Sequence, residues 1–399
     1  MDKVRLGSVM TLHRGYDLPN AQRKPGNVPV ISSSGISGSH SIAKLDGENV
    51  ITGRYGTIGE VFYHSGPCWP LNTTLFVENF HGNDPKYVAY LLEVMLNALQ
   101  IDGTDKSTVP GVDRNVLHDL TVPYISGFES QKAVTTVLAA IDGKIANNKK
   151  LMTELEETAR LIYDYWFTQF DFPDENGKPY RSSGGEMVWS DELKREIPAQ
   201  WAVGKTGDMI EGIRTGLNPR TNFTLKTTGI AYLTVKNITS DGNIDFSGCD
   251  FIDERDRVVV HRRSDVSKGD ILFASIAPLG RCYLVRQDPE KWDINESVFS
   301  VRPNAKTSTS EFLYLLLTSD WFIKAAEGSS AGSIFKGIRN EELRNLNMAL
   351  PDMETILLFT ERTRPLLDQI GLLQDESREL VRLRNWLLPM LMNGQLVVD

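Results

Sequence analysis

A chain of 399 residues, 41% hydrophobic, is long enough for two or three domains with proper cores, and nothing in it is low-complexity or collagen-like. No apolar run reaches the roughly eighteen residues of a transmembrane helix, and Met1-Asp2-Lys3-Val4-Arg5 opens no signal-peptide core. A net charge of −9 argues against a free-standing nucleic-acid module, because phosphate neutralisation favours a basic protein.

The elements come in two matching sets. Val28 to Ile31 reads as a strand, and Asn49 to Thr52 as an apolar strand after Asp46-Gly47-Glu48. Tyr87 to Leu99 reads as one amphipathic helix, and Ser126-Gly127 stands where a further helix can start. That helix, Glu129 to Thr168, carries an a/d stripe of Ile141, Ile145, Asn148, Met152, Leu155, Ala159, Ile162 and Trp166. Phe170 to Gln200 is rich in Gly, Pro, Asp and Glu and reads as an extended connection. Ile230 to Val235 and Ile271 to Ala274 are the next strands, and Glu311 to Ala326 the next single helix. The last helix, about Asp352 to Asn393, repeats the stripe with Leu366, Ile370, Leu373, Ser377, Leu380, Arg384, Leu387 and Leu391. Pro365 should start or kink it.

These sets are two copies of one α+β domain. Thr206-Gly207-Asp208-Met209 matches Leu6-Gly7-Ser8-Val9; Lys268-Gly269-Asp270 matches Asp46-Gly47-Glu48; Ile294-Asn295-Glu296-Ser297-Val298-Phe299 matches Leu71-Asn72-Thr73-Thr74-Leu75-Phe76. The separation grows before Asp46, so the second copy carries an insertion in its early part. The similar helices should pair with each other inside the chain, meeting at Ile141, Ile145, Met152 and Leu155 on one side and Ile370, Leu373, Leu380 and Leu387 on the other. The division expected is 1–123 first domain, 124–169 first helix, 170–200 connection, 201–351 second domain and 352–399 second helix. The two domains hold 29 basic and 31 acidic groups, the helical and connecting segments 14 and 21, so most negative charge lies outside the domains.

No Gly-x-x-x-x-Gly-Lys-Ser/Thr loop, Gly-x-Gly-x-x-Gly, Gly-x-Ser-x-Gly or His-Glu-x-x-His occurs, so no catalytic residue is assigned. Asn218-Pro219-Arg220 lacks the second proline and the ring of an adenine-methyltransferase loop and reads as a turn. Six scattered histidines show no metal-ligand spacing; Cys68, Cys249 and Cys282 lie far apart, predicting reduced thiols in a cytoplasmic protein. What the loops carry is DNA-contact chemistry: hydroxyls and glycines that let backbone approach phosphate, and Arg, Lys and Asn that read base edges. In the first copy the candidates are Ser33, Ser34, Arg54, Tyr55 and Lys106; in the second, Lys236, Asn237, Ser275, Ser330, Lys336 and Arg339. Arg14, Arg214 and Arg281 complete the set. A self-contained nuclease or methyltransferase with an unrecognised site, or a protein-binding scaffold, stays open on the residues alone.

The chain resembles the specificity subunit of a type I restriction-modification enzyme over essentially its whole length. Ile197-Pro198-Ala199-Gln200-Trp201 resembles the opening of a target recognition domain, and Tyr232 to Ile238 and Lys268 to Ala274 its characteristic strands. Leu343 to Pro351 resembles the exit into the helix, and Leu391 to Leu396 the tail; the first copy departs further, with Ser33-Ser34 in place of Lys236-Asn237. The resemblance implies two target recognition domains joined by two long antiparallel coiled-coil helices, reading a bipartite double-stranded DNA target. It implies no catalytic residue and no cofactor on this chain. S-adenosylmethionine would be bound by modification subunits, two of them, and restriction subunits would supply the motor and nuclease; no membrane is involved.

Overall fold

A computed structural model describes residues 2–55, 59–101, 113–220, 222–329 and 337–398. The first copy runs β1 (Asp2–Arg5), a single turn α1 (Leu6–Val9), β2 (Thr11–Arg14), β3 (Val28–Ser32), β4 (Gly35–His40), β5 (Glu48–Gly53), β6 (Val61–Ser65), β7 (Trp69–Pro70), β8 (Thr74–Asn79), α2 (Pro85–Ile101), α3 (Arg114–Asp119) and β9 (Thr121–Tyr124). The helix α4 (Phe128–Tyr163) follows and ends in a π turn, Asp164–Thr168. The connection holds the hairpin β10 (Met187–Ser190) and β11 (Arg195–Pro198), a structure its Gly- and Pro-rich composition conceals.

The second copy runs β12 (Ala202–Lys205), β13 (Ile210–Thr215), β14 (Ile230–Leu233), β15 (Asp250–Ile252), α5 (Glu254–Ser264), β16 (Ile271–Ala274), β17 (Cys282–Leu284), β18 (Trp292–Ile294), β19 (Val298–Pro303), α6 (Ser310–Leu317), α7 (Asp320–Ser329), α8 (Asn340–Arg344) and β20 (Asn347–Leu350), before α9 (Met353–Met392). Sheet by sheet the copies agree. Order β1-β9 matches β12-β20, β2-β8-β5-β6 matches β13-β19-β16-β17, and β4-β3-β7 matches β15-β14-β18. Even the parallel pairings correspond, β3 with β7 and β14 with β18. The excess length of the second copy lies in residues 234–249, where the first has the two-residue turn Ser33-Ser34, and in 253–270, which contains α5.

By its contacts the chain forms two compact units, Met1–Asn147 with Ser377–Asp399, and Asn148–Glu376. In the first, α2 buries Tyr87, Val88, Leu91, Leu92 and Leu96 on one stripe against Val134 and Leu138 of α4 and Leu388, Leu391 and Met392 of α9. Each such side chain contributes about 1.5–3 kcal/mol. In the second, Tyr163 and Trp166 meet Phe359 at centroid distances of 6.1 and 5.7 Å. Asp142 of α4 meets Arg384 of α9 in the first unit, and Asn148 meets Glu376 in the second. As numbers rise along α4 they fall along α9, so the helices run antiparallel. Every position of both expected stripes is buried or half-buried.

Two expectations are corrected. The single helix Glu311 to Ala326 is two, because the Thr318 and Ser319 hydroxyls donate back to the Tyr314 and Leu316 carbonyls, at 3.0 and 2.7 Å, while Ser319 Oγ accepts the Phe322 N–H. Side chains that compete for backbone groups end a helix and cap the next. Helix α9 neither starts at Pro365 nor is interrupted there; it begins at Met353, with Asp352 accepting the Thr355 N–H at 2.8 Å.

Candidate nucleic-acid interface

In the first unit, residues distant in sequence converge on one cleft of about 430 Å³, lined by His13, Arg14, Arg54, Leu75, Asp113, Arg114 and Asn115. Arg14 ends β2, Arg54 follows β5, and Arg114 opens α3. The tie that brings β2 to α3 is a hydrogen bond from the Leu12 N–H to His118 Nε2, 2.9 Å. That ring nitrogen accepts, so the imidazole is neutral; burial, and then the charge of Arg114, hold its pKa below the usual value. Two N–H groups anchor the Arg54 loop, Arg54 N and Tyr55 N donating to the Thr73 carbonyl at 2.8 and 3.3 Å. The Arg54 guanidinium lies 4.7 Å from the Tyr55 ring centroid, and the ring is exposed. Arg14 is shared with Asp17 at 3.6 Å, and Asp113 caps α3 by accepting the Asn115 N–H at 2.8 Å. Three arginines against one lining carboxylate make a cleft suited to an anion. Sequence reasoning missed Arg114 and Asn115; Asp113 is a favoured N-cap residue, but Val116 stands where a capping box carries Glu or Gln.

Ser33 and Ser34 form the β3–β4 turn, where Ser32 Oγ donates to the Gly35 carbonyl at 2.9 Å and accepts the Ser34 N–H at 3.4 Å. Gly35 has φ +99°, which makes a glycine the natural occupant.

The second unit treats its candidates differently. Arg214 is ion-paired with Asp265, which also binds Arg302 at 3.0 Å. Asn237 is buried: its amide donates to the Asp245 carbonyl at 2.9 Å, and its oxygen accepts the Thr234 N–H at 2.8 Å. Ser275 Oγ donates to the Ser297 carbonyl at 2.7 Å. Arg281 reaches the Ile238 carbonyl at 3.3 Å and so joins two loops. These groups shape the loops. Lys236 is exposed on the turn that Asn237 fixes, and Arg339, also exposed, precedes α8 with its N–H bound by Glu342 at 2.7 Å. Lys106, Ser330 and Lys336 lie outside the described residues.

On the helices, Ile141, Ile370 and Leu373 are buried and Ile145, Met152, Leu155, Leu380 and Leu387 half-buried. Arg384 donates to both Glu93 oxygens at 2.5 and 2.7 Å and to Asp142 at 2.9 Å, and Tyr90 donates to Asp142 at 2.7 Å. Arg286 of the second domain donates to Gln374 and to the Leu367 carbonyl, both at 3.0 Å. A Cβ at Gly371 would stand 2.4 Å from Arg286 Nε, so glycine gives the guanidinium its room. Among the described residues no cluster of His, Cys, Asp and Glu is placed to hold a metal, and no helix is long and apolar enough to cross a membrane.

A family model described as "Type I restriction modification DNA specificity domain" matches residues 1–157 and 198–357, and the chain belongs to that family. The match falls twice, once on each structural repeat. Among curated proteins it is similar to the type I restriction enzyme MjaIX specificity subunit of Methanocaldococcus jannaschii, 26% identical over 83% of this chain and 74% of the relative. The MjaVIII specificity subunit of the same organism is 22% identical over 79% and 71%. Among solved structures, the type I restriction-modification system S subunit from M. genitalium shares the fold with a TM-score of 0.60 at 17% identity, covering 98% and 96%.

Proposed function

We propose that each repeat domain reads one half of a bipartite double-stranded DNA target, and that α4 and α9 space the halves and dock the partner proteins. Modification subunits, two of them, bind S-adenosylmethionine and transfer methyl to adenine, and restriction subunits supply the motor and nuclease. This chain supplies no catalytic residue.

One observation carries the reading. Three sheets recur with the same strand order in both copies. The groups at their edges do not recur: a cleft lined by Arg14, Arg54 and Arg114 in the first copy, loops braced by Asn237, Ser275 and Arg281 in the second. A shared scaffold with different loops suits two different half-sites. The acidic balance outside the domains suits helices that meet protein, with partners supplying positive charge.

The test is methyl transfer by the purified chain alone and then with its modification subunit. Transfer should need the partner, and duplex binding should tighten with it. Transfer by the chain alone would overturn the reading.

A further inference from the structure

Helix α5 has no counterpart in the first copy. Its Arg255, Val258, Val259 and Arg262 recur at i, i+3, i+4 and i+7, the spacing that puts side chains on one helix face. All four are exposed, Val258 by 52% and Val259 by 46%. Neither Arg255, Arg262 nor the adjoining Arg263 has an ion-pair partner among the described residues, whereas Arg214 and Arg302 of the same domain are both paired. The helix dipole explains Arg262 and Arg263, which lie in the last turn. It explains neither Arg255, in the first turn, nor two exposed valines between cations.

The opposite face is fixed firmly. Val260 and Ser264 are buried, and the fully buried Asp293 carboxylate accepts from Ser264 Oγ at 2.6 Å and meets His261 Nδ1 at 3.0 Å. Arg257 donates to the Pro289 carbonyl, and Asp253 caps the first turn by accepting the Asp256 N–H at 2.9 Å. Three consecutive valines are poor helix formers. The helix therefore stands on its caps and its buried side, and its outer face is left for something else.

We infer that α5 is a base-reading element of the second domain, entering the major groove with Arg255 and Arg262 directed at guanine edges and Val258 and Val259 at thymine methyl groups. The inference rests on the DNA-reading role proposed above. The major groove, about 12 Å wide, admits an α-helix, arginine pairs bidentately with guanine, and apolar side chains meet the thymine methyl. The free positive charge complements the phosphates on both sides of that groove.

The test uses the full chain co-expressed with its modification subunit. Genomic DNA is sequenced for its methylated motif, and a motif-bearing duplex is titrated at several salt concentrations. Arg255→Ala, Arg262→Ala and the pair Val258→Ala with Val259→Ala remove only exposed side chains, so thermal melts should match the parent. Each should relax positions within one half of the motif, by roughly ten- to hundredfold in preference for an arginine variant, and leave the other half unchanged. An intact motif overturns the inference, whether affinity falls uniformly, as for phosphate contacts, or stays unchanged. If the parent complex methylates no defined motif, the DNA-reading role itself falls, which is a different result from an intact motif in the variants.

Discussion

Single residues divide into those that hold the helices and those proposed to meet DNA. Arg384 belongs to the first kind: with Glu93, Asp142 and Tyr90 it forms a half-buried charge network inside the first unit. Arg384→Ala leaves two carboxylates without their partner and should cost on the order of 2–3 kcal/mol, the lower end for a broken buried pair because the network is partly exposed. Denaturant melts measure the loss; the methylated motif should not change. Glu156 of α4 carries a pH dependence. Burial pushes its carboxyl up to about 7, against the pull of Arg160 and Arg286 and with a further push from Asp241. The folded state thus holds this proton more tightly than the unfolded chain. Its stabilising effect is full below the ordinary value of 4.5 and is lost as pH rises to about 7. Glu156→Gln should match the parent in melts near pH 4 and exceed it near pH 8; a constant gap would place the titration elsewhere. Arg54 and Arg114 are of the second kind. Alanine at either should weaken binding to all duplexes and flatten the salt dependence by about one unit, as should alanine at Arg339. An unchanged slope would make the cleft a structural feature.

At the scale of elements, the helices should set the spacing of the target. One heptad inserted between Asn147 and Asn148 and another between Glu376 and Ser377 falls where the two units meet in sequence. Each adds about 10 Å of helix, so the unspecified gap should lengthen by about three base pairs at 3.4 Å each, with both half-sites unchanged. A constant gap contradicts the spacing role. The stripes of α4 and α9 were readable because a 4-and-3 spacing is local and survives any tertiary context. The break between α6 and α7 was not, since Thr318 and Ser319 look harmless in a helix until their hydroxyls turn back on it. Loop chemistry was the least readable. Nothing near Ser275 or Asn237 in sequence shows that Ser297 and Asp245 occupy their polar groups. Arg114 was overlooked because its neighbours in the cleft, Arg14 and Arg54, lie far back along the chain. Lys336 lies outside the described residues, so its expected phosphate contact is left to the salt titration.

For the whole molecule, a duplicated scaffold with a family match on each copy supports the proposal of two independent readers. The sharpest measurement replaces residues 1–123 with the corresponding domain of a relative of different specificity and sequences the methylated motif in cells carrying the hybrid with its modification subunit. One half of the motif should change to the relative's, and the other half and the gap should remain. A change in both halves, or in neither, would contradict a chain built of two separate recognition domains.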